Sequence, residues 1–168
     1  ELTPELIPPK RESSTMIDFT DQKEVNNWRI TNDDVMGGVS KGFIKAKEEQ
    51  GLFNGSISLK NNGGFSSVFR KIKPLSPDFD SVVIDIKGDG LTYQLRMVVN
   101  VEGYRLAYKY PFKTIAGQRE QLIFTLTDFQ ASFRGRAISN APLLNAKDIQ
   151  EVGFLVTNKE ESNFALSI

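Results

Sequence analysis

The chain has 168 residues, 39% of them hydrophobic and 25% charged, and its 21 basic side chains balance 21 acidic ones; one domain with its own core is expected, without a bulk field to recruit nucleic acid or an anionic membrane. Cysteine and histidine are both absent, which excludes disulfides, thiol nucleophiles, Cys/His zinc sites and the imidazole base of most hydrolytic triads. No apolar run reaches the roughly 18 residues of a membrane span and the first residues lack a signal-like stretch, so a soluble chain, or one already processed at its N-terminus, is expected, with its compartment open.

Residues 1–15, "ELTPELIPPKRESST", carry three prolines and no hydrophobic period and read as an extended arm or linker, leaving 16–168 as a single domain. After "MIDF", Thr20 or Asp21 caps a short helix ending before Trp28. From there the pattern alternates with period two. Phe53, Gly55, Ile57 and Leu59 share a face; Val82, Ile84 and Ile86 oppose Val83, Asp85 and Lys87; Leu91, Tyr93, Leu95, Met97 and Val99 oppose Thr92, Gln94, Arg96, Val98 and Asn100. "GYRLAYKY" repeats the scheme, and "EQLIFTLTDF", "VGFLVTN" and "NFALSI" complete about nine short strands. The fold class is all-β, an antiparallel β-sandwich of jelly-roll type whose twelve phenylalanines fill the core. "GDG" at 88–90 reads as a hairpin turn and "NNGG" at 61–64 as another turn.

The segment "NDDVMGGVSKG", residues 32–42, raises three chemistries. Gly37 and Gly42 have the spacing of a phosphate loop, but Phe43 and Ile44 stand where Lys and Ser or Thr are needed. An EF-hand loop fails because Val35 and Met36 replace oxygen ligands, although a different cation site at Asp33 or Asp34 stays open. A bulged turn is the third reading, since Asn and Asp bond nearby backbone and paired glycines supply positive φ. Asp33 and Asp34 point to opposite faces of an extended segment and do not form a glycosidase pair by themselves.

Candidate ligand groups lie on the polar strand faces. Asp85, Lys87, Gln94, Arg96, Arg105 and Lys109 lie side by side if their three strands are sheet neighbours; the plainer reading is the solvated side of any antiparallel sheet. Tyr93, Tyr104, Tyr108 and Tyr110 are either core or a stacking platform, their hydroxyls favouring rim positions. "FRGR" at 133–136 sets two guanidinium groups about a glycine, suited to clamping a carboxylate, a phosphate or an acidic partner residue, with a surface loop as the alternative. The proposed binding set is Asp85, Gln94, Arg96, Arg105, Tyr108 and Arg134.

Trp28, "NDDVMGGVSKG", "FNGSISL", "NNGGFSSV", "GDG" followed by Tyr93 and Arg96, "PF" at 111–112, "DF" at 128–129, "FRGR" and "NFALSI" together resemble the complex I intermediate-associated protein 30 family over 16–168. The resemblance implies a galactose-binding-like jelly roll, similar to carbohydrate-binding modules, and a non-enzymatic assembly role, the eukaryotic namesake being an assembly factor of respiratory complex I. On that view Trp28, Asp33, Asp34, Gly37, Gly38, Gly63 and Gly64 form a structural signature in which carboxylates brace loops and glycines let strands cross, with Asp34 accepting backbone or Arg hydrogen bonds. Two departures stand out: Gln121, Leu122 and Ile123 lack the family's usual Trp before "DF", which weakens a module relying on that aromatic, and Ser162 and Asn163 precede Phe164 where Gly-Pro is common. The expected function is protein binding in assembly or stabilisation of a larger complex, without catalysis, cofactor or metal; the alternative is a carbohydrate or small polar ligand module in which Tyr104 and Tyr108 stack on a ring.

Overall fold

A computed structural model describes residues 17–33 and 37–168, so the expected arm and Asp34 lie outside the described residues. Among the described residues, twelve strands form two antiparallel sheets: β1 (Trp28–Asn32), β2 (Lys41–Lys47), β3 (Gln50–Ile57), β4 (Phe65–Lys71), β5 (Ser81–Lys87), β6 (Thr92–Val101), β7 (Tyr104–Lys113), β8 (Arg119–Thr125), β9 (Gln130–Phe133), β10 (Arg136–Ala137), β11 (Ile149–Thr157) and β12 (Ser162–Ser167). The seven-stranded sheet runs β1-β4-β11-β6-β7-β9-β10 and the five-stranded sheet β2-β3-β12-β5-β8.

The expected short helix is a 3₁₀ segment, Gln22–Asn27, capped by the Asp21 side chain accepting from the Lys23 N–H. It delivers Trp28 into the core, where the indole stacks on Phe19 at 5.7 Å and donates to Glu24 Oε2 at 3.1 Å. Glu24 in turn receives a two-pronged contact from Arg70, both N–O distances being 2.8 Å, which fastens the 3₁₀ turn to β4.

Apolar alternation builds the core. Leu95, Met97 and Val99 of β6 face Val152, Phe154 and Val156 of β11 and Leu106, Tyr108 and Phe112 of β7, while Phe53, Ile86, Phe124, Phe164 and Leu166 cover them from the other sheet. Phe112, Phe124, Phe129 and Tyr110 form one aromatic cluster with centroid separations between 4.8 and 6.4 Å. Not every phenylalanine belongs to this core: Phe43 is 58% exposed and Phe69 packs on the far side of its sheet.

One expectation about connections needs correction. "GDG" is not a hairpin, because β5 and β6 belong to different sheets and the segment carries the chain between them. Asp89 fixes that crossing, accepting from the Leu91 N–H, the Tyr93 hydroxyl and the Ala165 N–H of β12. The "NNGG" turn likewise joins β3 of one sheet to β4 of the other. The two-residue hairpins are instead Glu48-Glu49, Glu102-Gly103 and Arg134-Gly135, each with both φ values positive, as a type I′ turn requires.

Candidate functional site

Arg96 of β6 stands on the outer face of the seven-stranded sheet, because its neighbours Leu95 and Met97 point into the core. Register carries one row across six strands: Arg29 pairs with Phe69, Phe69 with Gly153, Gly153 with Arg96, Arg96 with Lys109, and Lys109 with Gln130. Gly153 leaves room for an aromatic ring to lie across the sheet, since a Cβ there would sit 2.4 Å from Phe69 Cδ1. The Phe69 ring occupies that space with two guanidinium groups above it, Arg105 at 5.4 Å and Arg29 at 5.9 Å from its centroid.

Glu151 gathers those same two arginines. Its Oε2 receives Arg105 Nη1 at 2.6 Å and its Oε1 pairs with Arg29 Nη2. A β-bulge aims it there: Ile149 pairs with the core residue Val99, yet Glu151 pairs with outward-facing Val98, so the extra residue between them turns the carboxylate outward.

Beyond this belt lies an open groove of about 630 Å³, lined by Arg96, Gly103, Tyr104, Arg105, Ala107 and Ser132 and closed by Phe133, Arg134 and Gly135 of the β9–β10 turn. Arg96 is half-buried, and burial lowers its pKa from the ordinary arginine value. Its Nε and Nη2 donate to the neutral Gln94 Oε1 at 3.0 and 2.7 Å, and among the described residues it makes no ion pair. At the rim, Tyr104 meets Phe133 edge to face at 5.7 Å, and the Arg134 guanidinium lies 5.2 Å from the Phe133 centroid.

Of the expected binding set, Gln94, Arg96, Arg105 and Arg134 gather on or beside this groove. Two residues do not. Asp85 sits on the outer face of the opposite sheet, where it meets Arg119 at 3.2 Å, because β5 is no neighbour of β6. Tyr108 is only 2% exposed, in the core, with its hydroxyl donated to the Pro142 carbonyl; burial, then the nearby Asp148 charge, raises its pKa. Of the other tyrosines, Tyr93 is fully buried and Tyr104 is exposed. Arg29, Phe69, Glu151 and Ser132 were absent from the expected set. The outward parity of Arg29 and Glu151, counted from Trp28 and Val152, was their available signal.

The opening motif lies elsewhere and serves another purpose. Asp33 is fully buried; its Oδ1 accepts from the Ser40 N–H, and its Oδ2 accepts from the Ser40 hydroxyl and the N–H groups of Gly64 and Phe65. A Cβ on Gly38 would come 2.4 Å from Asp33 Cγ, and one on Gly63 would come 2.5 Å from Oδ2, so these two glycines let backbone close around the carboxylate. A cation at those oxygens would face the positive ends of four N–H and O–H dipoles. Burial alone would raise the Asp33 pKa, but the bonds from Ser40, Gly64 and Phe65 outweigh it and hold it below the usual value.

The model of one protein family, described as Complex I intermediate-associated protein 30, matches residues 17–168. The chain belongs to that family. Among solved structures, this family member resembles the family 11 carbohydrate-binding module of a cellulosomal cellulase of Clostridium thermocellum, with a TM-score of 0.67 and 13% identity over 92% of this chain and 91% of that one. The same kind of module in complex with a β-1,3-1,4-mixed-linked tetrasaccharide matches with a TM-score of 0.59 at 13% identity, covering 83% and 85% of the two chains. An agarase matches with a TM-score of 0.58 at 10% identity over 92% of this chain but 25% of its own. At these identities the likeness concerns the fold, an all-β galactose-binding-like jelly roll. No curated protein matches the chain.

Proposed function

We propose that this protein is a non-catalytic binding module that engages a protein partner through the outer face of its seven-stranded sheet, in assembly or stabilisation of a larger, respiratory-type complex. The groove around Arg96 carries the reading. Arginine and aromatic side chains, set in a partly desolvated hollow, are the composition that dominates binding energy at protein interfaces. Family membership supports the assembly role. Among the described residues, the Glu151 carboxylate of this face is paired with both Arg29 and Arg105, the arrangement of a structural anchor rather than of an acid–base group.

Carbohydrate binding is the second reading, favoured by the shared fold and by Tyr104, 61% exposed at the groove's rim and free to stack on a sugar ring. Immobilised protein separates the two. Capture of a partner by the wild type, lost in an Arg96→Gln/Arg134→Asn variant that melts normally, is the expected outcome; Asn is chosen because Arg134 has φ +49°. Equal capture by both overturns the reading, and retention of neutral oligosaccharides that depends on Tyr104 replaces it with the second.

A further inference from the structure

Arg96 is the place on this face where a negative charge is missing. Its guanidinium has given up part of its hydration, and among the described residues the only acceptor it has gained is one neutral amide oxygen, which serves two of its five N–H donors. Nη1 and the remaining Nη2 hydrogen lack acceptors among the described residues, and Arg96 lines the groove. Arg105 and Arg134 also line it, and Lys109 is the register partner of Arg96. The one carboxylate of the belt, Glu151, is already shared between Arg29 and Arg105.

From these contacts we infer that the groove is a carboxylate seat, in which Arg96 forks onto an Asp or Glu side chain of an acidic segment in the protein partner, with Arg105 and Arg134 flanking it. The seat rests on the reading of this face as a protein-binding surface. The adjoining belt, which shares Arg105 with the groove, supplies the template: a carboxylate joined to guanidinium groups that are stacked on an aromatic ring. Arg134 over Phe133 repeats the cation-on-ring half of that arrangement with its carboxylate place open. A short hollow of about 630 Å³ takes one or two side chains rather than a track of phosphates, and a formal net charge of zero gives the protein no general affinity for polyanions. The charge is local, so the recognition is local.

The test is fluorescence anisotropy with a labelled dodecapeptide of alternating Glu and Ser, beside its Gln/Ser analogue and an oligogalacturonate of matched charge. Tighter binding of the acidic peptide by at least tenfold over the amide peptide is expected, together with a tenfold loss on Arg96→Gln and no change on Lys45→Gln of the opposite sheet. Shifts of the Arg96 Nε–H and of the Ala107 and Ser132 amides on adding peptide to the wild type give the same answer without a variant. Equal binding of the two peptides, or peptide shifts confined to other faces, overturns the seat, and so does a preference for the uronate. The partner-capture experiment stays independent: capture that depends on the groove without any preference for acidic peptide removes the seat and leaves the binding face standing. Capture that ignores the groove removes the face.

Discussion

The Asp33 carboxylate and the backbone N–H of Gly64, 31 positions apart in sequence, meet at 2.6 Å. That bond explains why the two glycine-rich segments of the chain belong together: one supplies a buried anion, and the other wraps N–H groups around it.

Replacing Asp33 by Asn sets an amide among donors it cannot all satisfy. We expect a loss of about 2–4 kcal/mol in urea unfolding. Gly38→Ala, whose Cβ would meet Asp33 Cγ, should cost about 1–3 kcal/mol in the same assay. Acidic-peptide binding by the folded fraction of either variant should match the wild type.

Acid should unfold the protein through two carboxylates. Burial opposes ionisation of Glu24, but hydrogen bonds from Arg70, Asn27 and Trp28 and the Arg70 charge win, so its pKa is lowered from 4.5 as that of Asp33 is from 3.8. A depressed folded pKa contributes stability that is present above the unfolded value and lost as pH falls through the folded one. Stability should therefore be flat with respect to these two groups from neutrality to near pH 4.5 and fall below it, with a shallower fall in Glu24→Gln, as read from melting temperature against pH.

The β2–β3 hairpin carries needless strain. Glu48 and Glu49 both have positive φ, at +53° and +62°, in a turn that favours Asn-Gly. The double change Glu48→Asn/Glu49→Gly should raise unfolding free energy by about 1 kcal/mol, checked by urea denaturation.

Glu151→Gln removes the charge that Arg29 and Arg105 share. Two opposing effects are expected: a stability loss of about 1–3 kcal/mol, and tighter binding of the acidic peptide because Arg105 is released toward the groove. Calorimetry and anisotropy on the one variant check both signs.

Alternation made the faces legible but not the neighbours. Leu95, Met97 and Val99 read correctly as core and Gln94 and Arg96 as outer, since period two is a local property of one strand. Which sheet a strand joins is set by contacts distant in sequence, and so alternation alone leaves open whether Asp85 lies beside Gln94; β5 pairs with β8 and β12 instead. Tyr108 shared its face with Leu106, yet its hydroxyl suggested a rim; the acceptor that permits burial, the Pro142 carbonyl, lies 34 positions on in a loop with no pattern of its own. Glu151 was hidden by the bulge, because parity counted from Ile149 puts it on the core side and parity counted from Phe154 puts it outside.

Photo-crosslinking from defined positions tests the binding face most directly. A benzophenone amino acid at Tyr104, on the groove rim, should trap the partner, and the same group at Ile123, exposed on the five-stranded sheet, should not. Crosslinks from Ile123 with none from Tyr104 would contradict the account.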